Sequence, residues 1–264
     1  MLRITSRSNP RLRETARLVA SSRERRKAGR CVLEGEHLIE AYANRYGAPE
    51  TLLISESFLD RDTARALAER FESLTIAVPD AVLDDIAVLP AGVGMLAVIA
   101  TPKAPGKIEG DFLLLLDDVQ DPGNVGSMLR SAAAAGVSDA LLSPHCAFAW
   151  SPKVLRAGMG AHFHLSIHEA QDLAGWSRAF VARGGRVVAM DSDGGTPLFA
   201  ATLAPPLAIA VGNEGAGLSP SMREAASDRV TIPMPGGIES LNAAAATAVV
   251  LFECVRRGTT RTGR

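Results

Sequence analysis

The stretch that decides the fold is LLLLDDVQDPGNVGSMLRSAAAAGV, residues 113–137. It opens with a continuous apolar run, which is typical of a parallel strand covered on both faces. The turn residues Asp121-Pro122-Gly123 follow, and an Ala-rich helical segment then runs to a stop at Gly136. A strand, a tight turn and a helix in this order indicate an α/β fold, in which ligands bind outside the carboxyl ends of the strands.

Asn124 and Arg130 are the polar side chains of this stretch that could carry chemistry. They lie nearly two helical turns apart, so an arginine that reaches back along the helix could approach the loop. A structural interpretation is also available, in which Asn124 caps the helix and Arg130 is a surface charge. Taken by itself, the stretch favours the structural interpretation.

A second junction of the same kind reads LAIAVGNEGAGLSP, residues 207–220. A buried strand runs into a loop whose three glycines, Gly212 among them, permit a close approach of backbone to a ligand. Glu214 stands in the middle of this loop. The sequence contains neither GxGxxG nor GxxxxGK[ST], so it supports neither a dinucleotide fingerprint nor a P-loop.

A third junction reads VTIPMPGGIESLNAAAATAVVLFE, residues 230–253. A strand ends near Ile232, the loop 235–237 follows, and Ser240 opens an Ala-rich helix. Ser240 could simply cap that helix. The small residues from 243 to 250 allow another helix to pack tightly against this one.

In this order, the three junctions resemble the three motifs of the SpoU/TrmH branch of the SPOUT methyltransferases. The motifs are PGNxGxxxRxAxAxG at residues 122–136, GNEGxGL at residues 212–218 and IPMxGxxxSLNxxxAxxxxLFE at residues 232–253. TSRSNPRLRE (residues 5–14) and VLEGEHLIEA (residues 32–41) resemble the substrate-binding domain that precedes the catalytic domain in several members. The resemblance therefore extends over nearly the full chain.

The expected fold class is α/β. The resemblance implies a C-terminal SPOUT-type parallel sheet with a deep trefoil knot, preceded by a smaller α/β RNA-binding domain. We expect the RNA-binding domain at residues 1–100 and the knotted methyltransferase domain at residues 112–264. Residues 101–111, rich in Pro, Gly and charge, form the expected linker. Helical spacing predicts one opening helix over residues 10–27, and short apolar runs predict strands, among them 51–55, 75–78, 112–116 and 207–211.

The resemblance also implies a cofactor, S-adenosyl-L-methionine, and a transfer of its methyl group to a ribose 2′-hydroxyl without a metal. The positions that match its cofactor-binding residues are Gly212, Ile232, Met234 and Leu241, and those that match its catalytic and positioning set are Asn124, Arg130, Glu214, Ser240 and Asn242. A guanidinium with a pKa above ~12 is a poor base. We therefore expect Arg130 to bind the adjacent phosphate and polarise the hydroxyl.

Charge and cysteine content bear on partners and location. The net charge is −1, yet residues 1–30 hold nine Arg and one Lys against two Glu. Such a segment suits a phosphate-rich partner, and a solvated helix without a partner is an equal alternative. Three widely spaced cysteines favour a reducing compartment, and no apolar run reaches the ~18 residues of a membrane span. We expect a cytoplasmic protein, with an organelle transit peptide as an alternative.

RNA is the expected partner, with rRNA ahead of tRNA, and the resemblance implies a homodimer with active sites near the subunit interface. One alternative is a non-catalytic RNA-binding protein on a methyltransferase fold, which cofactor binding would distinguish. Others are a tRNA-directed methyltransferase of the same family, and methylation of a base nitrogen, which mapping the methyl group on digested RNA would decide.

Overall fold

The structure is a computed structural model that describes residues 1–87, 93–192 and 194–258. The elements of the first 102 residues are β1 (Leu2–Arg3), α1 (Pro10–Ala20), α2 (Ser22–Ala28), β2 (Arg30–Glu34), α3 (Glu36–Tyr46), β3 (Thr51–Ser55), α4 (Asp62–Arg70), β4 (Thr75–Val78), α5 (Asp80–Asp84) and β5 (Met95–Ala100). Those that follow are β6 (Phe112–Leu116), α6 (Pro122–Ala134), β7 (Asp139–Leu142), α7 (Pro152–Gly158), β8 (Ser166–His168), α8 (Leu173–Ala182), β9 (Arg186–Met190), β10 (Thr196–Pro197), β11 (Leu207–Val211), α9 (Pro220–Ala225), β12 (Asp228–Thr231) and α10 (Ala243–Arg256). Short 3₁₀ turns connect several of them.

Contacts group these elements into two compact units. The first comprises Met1–Pro102 together with Trp150–Phe163, and the second comprises the rest of the chain. Residues 150–163 group with the first unit, although the sequence predicts a domain boundary only at residues 101–111. They do so because α7 packs against β2 and because the ring of Phe163 lies 5.7 Å from that of Tyr42.

The first unit contains a mixed five-stranded sheet in the order β1-β4-β3-β5-β2. β1, β4 and β3 run parallel, whereas β5 is antiparallel to both β3 and β2. Its apolar core includes Leu53, Ile76 and Leu96 from three different strands. The smaller α/β unit expected at the N-terminus is present.

The predicted helix over residues 10–27 is wrong as a single element, since it breaks at Ser21. The backbone of Ser21 is extended, and its hydroxyl accepts a hydrogen bond from the N–H of Glu24 at 3.3 Å. Ser21 therefore caps α2, which ends at Gly29 in the left-handed conformation with φ of 62°. The break produces a helix pair, α1 and α2, in place of one long helix.

The second unit contains a seven-stranded sheet in the order β10-β12-β9-β11-β6-β7-β8, and all its pairs are parallel. All five residues of β6 are buried, as expected for a strand covered on both faces. Leu113 and Leu115 pack in one cluster with apolar residues of α8 and α9. Because side chains alternate along a strand, Leu114 and Leu116 point to the opposite face. The predicted α/β class and the parallel sheet are confirmed.

The helix α10 packs against α6 and contacts β11, so the helices of the first and third motifs lie together. Both are rich in alanine, which allows the close packing expected from the small residues of α10. At 14 residues α10 is short, and no helix within the described ranges is long and apolar enough to cross a membrane.

Candidate active site

Neighbouring strand ends build a cavity at one edge of the seven-stranded sheet. β12, β9, β11 and β6 lie side by side, and Val211 at the end of β11 stands opposite Leu116 at the end of β6. The segments after β9, β11 and β12, together with α10, enclose a cavity of about 790 Å³. This volume falls within the range of ~300–1,000 Å³ that is typical of small-molecule sites.

Six of the nine predicted site residues line this cavity. They are Gly212, Glu214, Ile232, Met234, Ser240 and Leu241. All four residues predicted to hold a cofactor are among them, although they come from two segments that are separated in sequence. Val211 and Val230, at the ends of two parallel strands, add apolar surface.

Gly212 occupies a position that only glycine fits. A Cβ at this position would lie 2.2 Å from the carbonyl carbon of Gly217 and 2.2 Å from the nitrogen of Leu218. Both are backbone atoms, which cannot yield as the end of a flexible side chain can. The loop can therefore close tightly against the end of β11 only while residue 212 lacks a side chain.

Asn213 holds this closed loop together. Its backbone N–H donates to the carbonyl of Gly217 at 2.9 Å, and the reciprocal bond has the same length. Its side-chain oxygen accepts from the N–H groups of Gly215 and Ala216, each at 3.0 Å. Its side-chain amide donates to the carbonyl of Asp118 at 2.9 Å, which ties the loop to the segment after β6.

Glu214 joins the second motif to the first. One carboxylate oxygen accepts from the side-chain amide of Asn124 at 3.0 Å and from the N–H of Asp121 at 3.2 Å, and the other accepts from the N–H of Gln120 at 3.4 Å. Partial burial raises the pKa of Glu214, but the hydrogen bonds from Asn124 and the backbone outweigh it and hold the pKa below its ordinary value of 4.5. Glu214 is therefore ionised at neutral pH.

Asn124 extends this connection to the third motif. Its side-chain oxygen accepts from the side-chain amide of Asn242 at 3.0 Å. The side-chain oxygen of Asn242 accepts in turn from the N–H groups of Ala244 and Ala245, at 2.9 and 3.2 Å. Glu214, Asn124 and Asn242 thus form one hydrogen-bonded relay that links the starts of α6 and α10.

Two expected helix caps are wrong. Asp121, and not Asn124, caps α6, because its carboxylate accepts from the N–H of Asn124 at 2.7 Å. Asn242, and not Ser240, caps α10. These caps leave the side chain of Asn124 free to join the relay and that of Ser240 exposed at the cavity.

Arg130 does not join this relay. It is exposed on α6, and among the described residues its side chain has no hydrogen-bond or ion-pair partner. Six residues along a helix correspond to ~9 Å of rise and a rotation of roughly 240° from Asn124. Arg130 therefore presents its charge to solvent on a different side of α6 from Asn124.

Two acidic residues at the ends of strands in the same sheet, Asp117 and Asp191, were not among the predicted site residues. Asp117, after β6, is buried and accepts from the N–H of Ser219 at 2.7 Å, which anchors the far end of the glycine loop. Asp191, after β9, lines the cavity. Its carboxylate oxygens lie 3.8 Å from a guanidinium nitrogen of Arg229 and 3.9 Å from one of Arg223. Both acidic residues directly follow an apolar strand, which is the pattern that could have identified them. Within the described ranges, no group of three or more His, Cys, Asp or Glu side chains could hold a metal ion.

Comparison with protein families assigns both halves of the chain. The model of the SpoU rRNA Methylase family matches residues 111–252, and that of the MRM3-like substrate binding domain matches residues 9–97. The chain belongs to the SpoU rRNA methylase family. The family match spans every residue of the candidate site, from Asn124 to Asn242.

Relatives of the SpoU family match this chain along almost its full length. A 23S rRNA (guanosine(2553)-2′-O)-methyltransferase of Bacillus subtilis is 28% identical over 96% of this chain and 98% of its own length. A 23S rRNA (uridine(2479)-2′-O)-methyltransferase of Streptomyces viridochromogenes is 31% identical over 97% of this chain and 92% of its own.

The fold is shared with a solved SpoU methyltransferase. The crystal structure of a SpoU methyltransferase from Streptomyces viridochromogenes in complex with the cofactor AdoMet superposes with a TM-score of 0.83. It is 29% identical to this chain, and the match covers 95% of this chain and 99% of that one. Both units of the present chain therefore have counterparts in that structure.

Proposed function

We propose that the protein is an S-adenosylmethionine-dependent RNA methyltransferase that places a methyl group on a ribose 2′-hydroxyl of rRNA. The observation that carries this proposal is the cavity built by the second and third motifs, closed by the glycine-only position of Gly212. Two relatives that match nearly the whole chain are named for 2′-O-methylation of 23S rRNA, and this supports rRNA as the substrate class.

The residues of the cavity fit S-adenosylmethionine. Ile232, Leu241 and Val211 supply apolar surface for an adenine ring, and Glu214, which is ionised, also lines the cavity. A carboxylate attracts the positive sulfonium and ammonium groups of this cofactor. When bound, the cofactor would supply an activated methyl group, while the protein supplies orientation.

We assign the relay of Glu214, Asn124 and Asn242 a positioning role. Its hydrogen bonds fix the starts of α6 and α10 relative to the glycine loop, and therefore fix the shape of the cavity wall. Ser240 presents a hydroxyl at the cavity that could orient the acceptor ribose. Arg130, exposed and free of partners among the described residues, suits a phosphate next to the acceptor.

We also propose a trefoil knot in the C-terminal domain, and separate roles for the two domains in substrate binding and catalysis. α10, in the third motif, packs against α6, in the first, and this proximity supports a C-terminal segment threaded near the first motif. Residues 1–100 would bind the substrate, residues 101–111 would link the domains, and residues 112–264 would bind the cofactor and catalyse the transfer.

We further propose a cytoplasmic homodimer that uses α10. Val249 and Phe252 lie three residues apart on this helix, and both side chains are exposed. Adjacent exposed apolar side chains favour an interface, and a second copy of the chain would cover them. Cys31, Cys146 and Cys254 are unpaired, which suits a reducing compartment.

Calorimetric titration with S-adenosylmethionine tests the proposed function against its non-catalytic alternative. We expect saturable binding with one site per chain. A folded protein that shows no heat of binding at millimolar cofactor would contradict the proposal and favour a non-catalytic RNA-binding protein on this fold.

A further inference from the structure

We propose that one face of α1 and α2 holds the phosphate backbone of the RNA, an inference that rests on the proposed function. The face consists of four exposed cations, Arg13 and Arg17 on α1 and Arg23 and Lys27 on α2. We call these four residues the basic face. They lie within the 30-residue segment whose excess of arginine distinguishes it from the rest of the chain.

Several other cations of the same segment are neutralised within the fold. The ion pairs are Arg3–Glu56 at 2.7 Å, Arg7–Asp85 at 2.6 Å and Arg30–Glu14 at 2.6 Å. Arg25 is buried and donates to the carbonyls of Leu18 and Val19 at 2.5 and 2.8 Å. Arg25 therefore joins α2 to the end of α1, and none of these four arginines needs an external partner.

The basic face lacks such compensation. Within residues 1–87, 93–192 and 194–258, none of its four side chains has a hydrogen-bond or ion-pair partner. Arg13 and Arg17 are four residues apart on α1, as are Arg23 and Lys27 on α2. Like charges at this spacing are neighbours and disfavour the helix. A bound polyanion would relieve this repulsion in both helices at once.

The two pairs converge on a groove. Arg17 and Lys27 both line a cavity of about 200 Å³ between α1, α2 and the start of β2. Glu14 and Glu24 line it too, and Glu14 is already bonded to Arg30. The negative charge of Glu24 offsets one of the four positive charges of the basic face, so the face keeps an excess of positive charge.

These observations favour RNA over an anionic membrane as the partner. A helix that lies in a membrane interface buries an apolar face beside its basic one. The apolar residues of α1, which include Leu12, Leu18 and Val19, are buried in the core of the first unit. A nucleic acid needs only cations that reach its phosphates, and such contacts fix its orientation without reading its sequence.

The test compares the salt dependence of RNA binding in the full-length protein and in a neutralised variant. The variant carries Arg13→Gln, Arg17→Gln, Arg23→Gln and Lys27→Gln, and the probe is an unmodified 23S rRNA transcript. Each lost phosphate contact lowers the slope of log K against log [salt] by ~0.7–0.9, so we expect the slope to decrease in magnitude by about 3. Binding at low salt should fall at least about tenfold.

A charge-matched control separates this surface from net charge. It carries Arg45→Gln, Lys103→Gln, Lys107→Gln and Arg178→Gln, four exposed cations outside the basic face. We expect its slope to change by less than about 1. An unchanged slope in the neutralised variant, or an equal decrease in both variants, would overturn the proposal.

A second variant keeps the test informative if the neutralised protein folds poorly. Arg13→Lys, Arg17→Lys and Arg23→Lys together preserve the charges, and the wild-type slope should be retained because phosphate contacts are largely electrostatic. Loss of the slope in this variant would contradict the proposal. If the neutralised variant lost binding to phosphatidylserine vesicles but kept its binding to RNA, the basic face would be assigned to membranes and the proposal would also be contradicted.

Failure of this inference differs from failure of the proposed function. Cofactor binding, measured by calorimetry, should be equal in the wild type, the neutralised variant and the control. If the wild type binds cofactor and methylates RNA, but the neutralised variant has the same slope of log K against log [salt], only the proposal for the basic face is refuted. A wild-type protein that binds RNA through this face but never binds cofactor would refute only the proposed function.

Discussion

Among single residues, the shape of the cavity depends most on Gly212, where a side chain would collide with backbone. We expect Gly212→Ala to weaken S-adenosylmethionine binding by at least about tenfold, or ~1.4 kcal/mol, because the glycine loop must open. Gly236→Ala is the matched control, since a Cβ at this position would meet no atom of the described residues within 4 Å and Gly236 does not line the cavity. Calorimetry on both variants checks the prediction, and equal affinities would refute the role of Gly212.

The ionised state of Glu214 makes a prediction about pH. Its pKa is lowered in the folded protein, so its stabilising effect is present above the ordinary value of 4.5 and is lost as pH falls through the lower folded value. At pH 7 we expect Glu214→Gln to lower the free energy of unfolding by about 1 kcal/mol or less, since the carboxylate is partly exposed. Near pH 3 the difference should shrink. Urea denaturation at both pH values measures it, and a difference that grows on acidification would contradict the assignment.

Among the secondary-structure elements, the local sequence pattern was enough to locate strands where burial of an apolar run was the dominant effect. The strands predicted at 51–55, 75–78, 112–116 and 207–211 match β3, β4, β6 and β11, because runs of apolar residues bounded by turns leave few alternatives. Periodicity did not locate the break at Ser21, because residues 21–27 contain no apolar residue and therefore carry no periodic signal. The hydroxyl of Ser21 caps α2, and this local hydrogen bond competes with a continuous helix.

The candidate site was predictable to the extent that motifs mark it. Gly212, Ile232 and Leu241 lie in recognisable loops, and the structure brings them to one cavity. Asp191 escaped notice because its loop carries no motif, and only the sheet order places β9 beside β11. Strand order depends on contacts between distant residues, which the local sequence pattern does not report.

Two substitutions of Asn242, which caps α10, distinguish its structural role from its positioning role. Asn242→Ala removes both the cap and the bond to Asn124, so we expect a loss of ~1 kcal/mol in stability together with reduced turnover. Asn242→Asp keeps an oxygen for the cap but removes the amide that donates to Asn124. Stability near that of the wild type with reduced turnover is expected for this variant. Wild-type turnover by Asn242→Asp, measured under saturating cofactor, would show that the relay has no positioning role.

At the scale of the whole molecule, the grouping of residues 150–163 with the first unit could not be read from composition. α7 looks like any short amphipathic helix, and its membership depends on packing against β2, more than 100 residues earlier in the chain. A deletion of residues 1–102 would therefore remove the packing partner of α7. Substitutions within the full-length chain test the division of labour more cleanly than truncation does.

The proposed homodimer predicts a specific assembly defect. We expect the wild type to have twice the 27.7 kDa mass of the chain, and Phe252→Glu to have the mass of a monomer, because a carboxylate cannot be buried unpaired in an apolar interface. Phe199→Glu is the control, since Phe199 is also exposed but lies outside α10. Size-exclusion chromatography with light scattering measures all three. A monomeric wild type, or a dimer that survives Phe252→Glu, would rule out this interface.

Mapping the transferred methyl group shows whether the protein methylates a ribose. The full-length protein is incubated with methyl-labelled S-adenosylmethionine and unmodified 23S rRNA, and the RNA is digested to nucleosides for mass spectrometry. We expect one 2′-O-methylated nucleoside, formed by the wild type and lost in Arg130→Ala, which should retain cofactor affinity. A methyl group on a base, or near-normal transfer by Arg130→Ala, would contradict the account.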